Sequence, residues 1–538
     1  MDAEAWVREL ADAGFRRVIY TAKHHDGFVT WQSRYTDFGV MSAPWEDGQG
    51  DVLREVADTA RKYGLDLGVY LSPSDSHQEI HGVFGNGSEP TERTIPTLVE
   101  GDDREGRDLP TFSYEATDYG ASFLNLLYEV LTEYGPITEV WFDGAQGHTG
   151  KTENYDFPAF YEMIHKLQPD ALVAIEGHDV RWVGNEEGTA RADEWSPIPT
   201  TPKSTGALDF AYASPSLGSD AQATEAVQQG DATELRWFPA EADFKLTQGW
   251  FAHPGDTPKS AEQLMDLHTR NVGRNAVFLM NVPPTTDGSY APASSESLAQ
   301  FGSALAEAYT TDVALGRAAV VAGEADDVST RALTDGDETT SAASADGVFV
   351  VELDEPQRID RVKISEDTLA HGQQATSFAI EARTDGEWVE IESGSAIGAS
   401  RIAAPSDPVT ADALRVVTSS TRGTVHLASI RAWQQTADAP VKRSGPVHID
   451  CSAETAGTGT EDSPYSSIEQ LRFATLDAGA EVRFRSGADC AGTTGPTSRA
   501  RARPPRCASS TRRAGRSRDS RSRTRGRPTA TAARCPSS

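Results

Sequence analysis

The sequence predicts an α/β protein: a (β/α)8-like TIM barrel followed by an all-β sandwich. Strand-like and helix-like stretches alternate over residues 1–310, as they do in a parallel sheet with crossover helices. After residue 311 the helical periodicity gives way to short alternating segments parted by turn residues, the habit of antiparallel sandwiches. Ionisable and aromatic side chains also collect where the barrel strands end, which is where barrel enzymes keep their sites.

Asp2 can cap a helix whose apolar face is Trp6, Val7, Leu10 and Ala11, ending near Gly14. Residues 15–22 then read as a buried strand that delivers Lys23-His24-His25-Asp26-Gly27-Phe28 at its end. Asp51 caps a second helix stopped by Gly64, and residues 65–73 form the next strand, with Tyr70 near its end. Residues 74–115 read as one long polar loop, a length that signals function or disorder in a compact domain. A helix over 118–134 leads into Thr138-Glu139-Val140-Trp141-Phe142-Asp143-Gly144-Ala145. There a strand-favouring run ends in one carboxylate, and two small residues let the backbone turn away. A helix over 157–167, a strand over 171–175, a helix opened by a Ser260/Gln263 capping box, a strand over 276–282 and a helix over 294–309 complete the region.

Residues 311–435 carry alternating runs such as 347–353, 359–364 and 377–382, which make the sandwich. A linker at 436–446 leads to strand-like pieces within 447–490. From 491 to 538 there is no Val, Ile, Leu, Met, Phe, Trp or Tyr, so no core can form. The Arg/Pro/Ser/Thr/Ala composition of this tail is what an out-of-frame reading of a GC-rich gene yields, and a disordered basic tail is the alternative.

The whole chain of 538 residues has a formal charge of -32, yet the tail from residue 499 holds 13 Arg against Asp519. Its charge of +12 leaves -44 on the 498 residues before it. So acidic a body argues against nucleic acid as the natural partner. No apolar run is long enough for a membrane span. All four cysteines lie after residue 450, so the barrel holds no thiol nucleophile.

Four elements present chemistry at predicted strand ends: His24-His25-Asp26, Tyr70, Trp141-Phe142-Asp143, and Asp179 to Glu186. Two chemistries fit them. One is a metal hydrolase with His24, His25, Asp143 and Glu186 as ligands. Adjacent strand residues point to opposite faces, which weighs against His-His as a ligand pair. The other is glycoside hydrolysis by two carboxylates, about 5–5.5 Å apart where the anomeric configuration is retained.

Lys23-His24-His25-Asp26-Gly27-Phe28, followed by Trp31, Ser33 and Thr36, together with Trp141-Phe142-Asp143-Gly144-Ala145, resembles the α-L-fucosidases of glycoside hydrolase family 29. Asp179-Val180-Arg181-Trp182-Val183-Gly184-Asn185-Glu186, Glu194-Trp195, Trp237 to Glu241, Asp243 to Phe251 and Asn281-Val282-Pro283-Pro284 resemble the branch acting on α-1,3/1,4-linked fucose. The resemblance implies that Asp143 is the nucleophile and Glu186 the acid/base. It implies that His24, His25, Tyr70, Trp141 and Arg181 hold fucose, and that Glu241, Asp243 and Trp250 shape the site for the rest of a fucosylated glycan. No metal or other cofactor is implied.

Family members also carry an earlier barrel strand with a Phe-Gly-x-Phe-x-His-Trp-Gly-like run. Its absence here predicts a truncated barrel, with the true start and a secretion signal upstream of Met1. Residues 311–435, with His371-Gly372-Gln373-Gln374, resemble a discoidin-type sandwich, which implies glycan attachment. Residues 447–490 resemble the opening of a right-handed β-helix domain. The competing reading is a carbohydrate-binding protein with an inactive barrel.

Overall fold

In a computed structural model of the protein, residues 2–175, 179–200, 217–230, 234–322 and 331–434 are described, with 442–443, 447–452, 464–465, 475–476 and 482–485. The expected linker at 436–446, apart from 442–443, and the 491–538 tail lie outside the described residues.

The first helix, α1 (Ala3–Asp12), is capped by the Asp2 carboxylate and buries Trp6, Val7 and Leu10. Strand β1 (Arg17–Lys23) follows, then α2 (Val52–Tyr63). Asp51 caps α2, and Gly64 ends it at a φ of 73°, a left-handed turn that a side chain would strain. The framework continues with β2 (Asp66–Leu71), α3 (Asp118–Glu133), β3 (Glu139–Phe142), α4 (Phe157–Leu167), β4 (Leu172–Ile175) and β5 (Arg181–Trp182). It ends with β6 (Ala240–Lys245), α5 (Ala261–Asn271), which carries the expected capping box, β7 (Ala276–Asn281) and α6 (Pro292–Ala308).

β1, β2, β3 and β4 pair in parallel in that order, and β5, β6 and β7 form a second parallel set. A single parallel bridge, Ala174 to Val180, joins the two sets into one arc. The arc does not close: among the described residues β1 and β7 are not paired with each other. The expectation of a (β/α)8-like barrel is therefore met in part: seven parallel strands among the described residues form an arc with an open seam. Outside the seam α1 and α6 lie so close that a Cβ on Gly302 would meet the Cα of Ala13 at 2.6 Å.

Alternation along the strands sends every second side chain outward to the helices. Leu67, Val69, Val140 and Phe142 go that way, and Phe142 packs on Phe123 of α3 and Phe160 of α4 with ring centroids 6.1 and 5.6 Å away. Each fully buried ring of this kind contributes about 1.5–3 kcal/mol. The inward side chains Ile19, Tyr70, Trp141, Trp182 and Leu279 form a separate cluster. Gly68, also inward, leaves its space to Ile19, whose Cγ1 would sit 2.9 Å from a Cβ there.

The segment read as a polar loop, 74–115, holds a short helix at Ser76–Ile80 and a hairpin of Thr91–Ile95 with Phe112–Ala116. Its strands alternate too weakly in hydrophobicity to be seen in sequence. Trp31 and Ser33 serve the structure rather than the mouth of the barrel. With Arg34 they donate to the carboxylate of Glu129, which is fully buried in α3.

Beyond residue 311 lies an antiparallel β region. Its axis is β8 (Val348–Glu366), joined by β9 (Ser377–Thr384), β10 (Glu387–Gly394), β11 (Val409–Ser419) and β12 (His426–Gln434). The first half of β8 pairs with β11 and its second half mostly with β12. One long strand thus serves two sheet faces, with Phe349, Val351, Ile359, Val362 and Ile364 sealed among them. This region is bound to the barrel through Asn275, which donates to the carbonyls of Glu194 (3.1 Å) and Ile397 (2.9 Å) and accepts from Ser400 N–H (3.0 Å). Further on, Val447–Ile449 pairs in parallel with Val482–Phe484.

Candidate active site

Strand alternation and parallel register build one wall of the barrel mouth. Tyr70 stands beside Trp141 in register, their rings stacked at 5.2 Å, and Asp143 is the next inward position after Trp141. The Tyr70 hydroxyl donates to Asp143 Oδ2 at 2.8 Å. His25 Nε2 lies 3.6 Å from the same oxygen. His24 stacks on Tyr70 at 5.7 Å and lies 4.1 Å from the His25 ring. His24, His25, Tyr70, Trp141 and Asp143 therefore form one contiguous group.

Burial, first of all, lowers the pKa of both histidines below the ordinary imidazole value. Burial and the neighbouring Asp143 push the Tyr70 phenol well up, so it stays a donor.

The other wall comes from β5, β6 and the loops after them. Inward positions of β6 run Glu241, Asp243, Lys245 from the depth of the barrel to its mouth. Glu241 is fully buried and accepts from Trp141 Nε1 at 2.7 Å. Burial and the nearby Glu139 raise its pKa far above the carboxylate range. Asp243, 8% exposed, accepts from Trp182 Nε1 at 2.6 Å, and burial lifts its pKa to about 6. Lys245 Nζ is 2.9 Å from Glu186 Oε2, to which Trp250 Nε1 donates at 3.3 Å. Those contacts, Lys245 foremost, hold the half-exposed Glu186 below the ordinary carboxylate range.

Consecutive residues of the loop after β6 tie the two walls together. Trp250 touches Glu186, and the Phe251 ring meets the His24 ring edge-on at 5.4 Å.

Not every residue singled out in sequence reaches the mouth. Arg181 opens β5 in register with Ala240, itself in register with Ala276, the first residues of β6 and β7. That is the end opposite Lys245, five residues or about 16 Å of strand away. Its guanidinium is fully buried, paired with Glu194 and donating to the carbonyls of Phe238 and Trp195 (both 3.1 Å). A strand of only two residues followed by a climbing loop carries Glu186 to the mouth and leaves Arg181 at the base. Glu241 likewise has no exposed surface and acts on the mouth only through Trp141. Among the described residues no cluster of three or more His, Cys, Asp or Glu side chains could hold a metal ion. Ser72 joins the site unannounced, and Trp182, Lys245 and Phe251 join it from within sequence motifs that gave them no role of their own. Ser72 and Lys245 were readable as the inward position two residues beyond Tyr70 and Asp243.

A parallel α/β barrel whose mouth presents two carboxylates, paired histidines and a wall of aromatic rings has the build of a glycoside hydrolase. Residues 1–308 match the family model described as alpha-L-fucosidase. Alpha-L-fucosidase 1 of Arabidopsis thaliana is 32% identical over 435 residues, covering 78% of this chain and 76% of that protein. The crystal structure of SpGH29 superposes with a TM-score of 0.66 at 32% identity, covering 81% of this chain and 89% of that one. A Ruminococcus gnavus family 29 fucosidase in complex with fucose gives 0.66 at 28% identity, covering 81% and 86%. The chain belongs to the α-L-fucosidase family of glycoside hydrolases.

Proposed function

We propose that this protein is a retaining, exo-acting α-L-fucosidase that removes terminal α-1,3- or α-1,4-linked L-fucose from oligosaccharides and glycoconjugates. Asp143 attacks the anomeric carbon and forms a covalent fucosyl-enzyme as Glu186 protonates the leaving oxygen. Glu186 then takes a proton from water, which cleaves the ester with a second inversion. His24, His25 and Tyr70 hydrogen-bond the ring hydroxyls, and Trp141 offers an apolar face to the C6 methyl group. Asp243, through Trp182, and Trp250 shape the side taken by the rest of the glycan. The observation that carries this reading is the loop in which Trp250 meets Glu186 and Phe251 meets His24, which links the Glu186 side to the Asp143 side through adjacent residues.

Glu186 must hold a proton in the first step, whereas Lys245 favours its ionised form in the free protein. A glycan that covers Glu186 and draws Lys245 away raises the pKa at the moment a proton is needed. Fucosylated glycans stand on cell surfaces and secreted proteins, and we place the enzyme's work outside the cell. The described residues include no helix long and apolar enough to cross a membrane.

The open seam between β1 and β7 favours a second reading, a carbohydrate-binding protein without catalysis. Release of nitrophenol from an aryl α-L-fucoside and of fucose from a Lewis-type trisaccharide, each with Asp143→Ala as control, separates the two. The fucosidase reading expects both releases, abolished by Asp143→Ala, with α-fucose as the first product seen by NMR. A protein that binds the trisaccharide and leaves both substrates intact is the binding protein instead.

A further inference from the structure

We propose that Ser72 is a positioning residue for the nucleophile, fixing His25 as the tautomer whose proton lies on Nε2 and faces Asp143. The proposal rests on the reading of Asp143 as nucleophile and extends it to a side chain that no sugar touches.

Ser72 is fully buried just beyond β2, and its Oγ is 2.6 Å from His25 Nδ1. The same oxygen accepts the Ser74 N–H at 3.1 Å. Among the described residues the hydroxyl proton of Ser72 has no acceptor but His25 Nδ1. A proton on Nδ1 would leave the serine proton buried without a partner, which is unfavourable. It would also turn a bare Nε2 lone pair toward the Asp143 carboxylate. Both effects select Nε2–H.

The hydroxyl is itself held in place. Lys23, 1% exposed, donates to the carbonyls of Ser72 (3.0 Å) and Ser74 (2.8 Å) and pairs with Asp75 Oδ2 at 3.2 Å. All three ammonium protons are thereby used on one turn. Ser76 N–H reaches the His25 carbonyl at 2.8 Å, and His77 N–H the Asp26 carbonyl at 3.1 Å, so the turn is laced to the histidine's own backbone. Lys23, Ser72 and His25 form a chain that ends at Asp143.

The consequence lies in which carboxylate oxygen reacts. Tyr70 O–H donates to Oδ2 at 2.8 Å, and His25 Nε2–H faces the same oxygen from 3.6 Å, beyond hydrogen-bond length. Oδ1 is left as the attacking atom: it forms the bond to the anomeric carbon as the glycosidic C–O bond breaks and the leaving oxygen takes the Glu186 proton. In the second step the Tyr70 hydrogen bond, with the Nε2–H dipole of His25 facing the same oxygen, stabilises the carboxylate as it departs.

The test is a two-bond 15N–1H spectrum of the full chain labelled in histidine, with His25 assigned by the signal lost in His25→Gln. The wild type is expected to show a protonated Nε2 and a bare Nδ1. Ser72→Ala is expected to mix the tautomers and lower kcat about tenfold, with KM changed less than about twofold, and Ser72→Thr to restore both. A wild-type spectrum with the proton on Nδ1 overturns the proposal, as does a Ser72→Ala protein with unchanged tautomer and kcat. Should Ser72→Ala fail to fold, the wild-type and Ser72→Thr spectra decide. Trapping with a 2-fluoro-fucosyl fluoride is the separate control. Label absent from Asp143 overturns the nucleophile reading, while label on Asp143 with the wrong tautomer overturns the role of Ser72 alone.

Discussion

The two walls of the mouth are built on different principles. On the Asp143 side the proposed nucleophile, the Tyr70 and His25 side chains that face it and their supports come from neighbouring strand ends. Hydrogen bonds run from Lys23 through the Ser72 turn to His25, whose Nε2 stands 3.6 Å from Asp143. On the Glu186 side the carboxylate sits on a loop, half-exposed, held by a flexible lysine and one indole. A nucleophile has to be in place before the sugar arrives, whereas a group that is acid in one step and base in the next gains from an environment that changes.

Removing each carboxylate is the strongest way to break the contrast. Asp143→Asn is expected to lower kcat at least about 1000-fold on both the aryl fucoside and the trisaccharide, because in the proposed reaction Asp143 forms the ester. Glu186→Gln is expected to cost about 100-fold or more on the trisaccharide, whose leaving oxygen needs a proton. Nitrophenolate leaves unaided, so the aryl substrate should lose much less. Steady-state rates on the two substrates check this, and equal losses on both would remove Glu186 from the acid role.

The same contrast governs what is legible in sequence. Lys23-His24-His25 and Trp141-Phe142-Asp143 are contiguous, and strand alternation then places Tyr70 and Trp141 side by side. The capping residues Asp2, Asp51 and Ser260 announce their helices because each cap is a local hydrogen bond. The second wall depends on a climb no local rule describes: a two-residue strand, a bridge from Glu187 to Phe244, and a return to the base near Asn275. Arg181 and Glu186 lie five residues apart in sequence and at opposite ends of the barrel. Strand β6 escapes a sequence reading because its inward side chains are Glu241, Asp243 and Lys245, a charged row that no hydrophobic pattern predicts.

Asp243 offers an intermediate effect. Its folded-state pKa of about 6 stands above the ordinary 3.8. A raised carboxyl pKa means that stability is fully present below the unfolded pKa and is lost as pH rises through the folded one. The loss spans roughly pH 4 to 6 and amounts to about 3 kcal/mol at most. Asp243→Asn keeps an acceptor for Trp182 and carries no charge. It is expected to unfold at higher denaturant than wild type at pH 8 and at the same concentration near pH 3.5. Urea titrations at the two pH values check this, and an equal gain at both would trace the effect to packing instead.

Lys245→Met should have the smallest effect on stability and the most telling one on activity. Glu186 is held below the ordinary carboxylate range mainly by its hydrogen bond to Lys245. A lowered carboxyl pKa contributes stability above the unfolded pKa that is lost as pH falls through the folded one. Glu186 is half-exposed and Lys245 partly so, and solvent screening leaves no more than about 1 kcal/mol at stake. Lys245→Met is therefore expected to leave the unfolding midpoint at pH 7 nearly unchanged. In the proposed reaction the basic limb of kcat/KM reports the proton on Glu186 in the free enzyme, and without Lys245 that limb should move to higher pH. The equivalent change on the first wall, Tyr70→Phe, takes a donor from Asp143 and should lower kcat without moving that limb. If both variants shift the limb alike, the walls titrate as one unit, and the division between a fixed nucleophile and an adaptable acid falls.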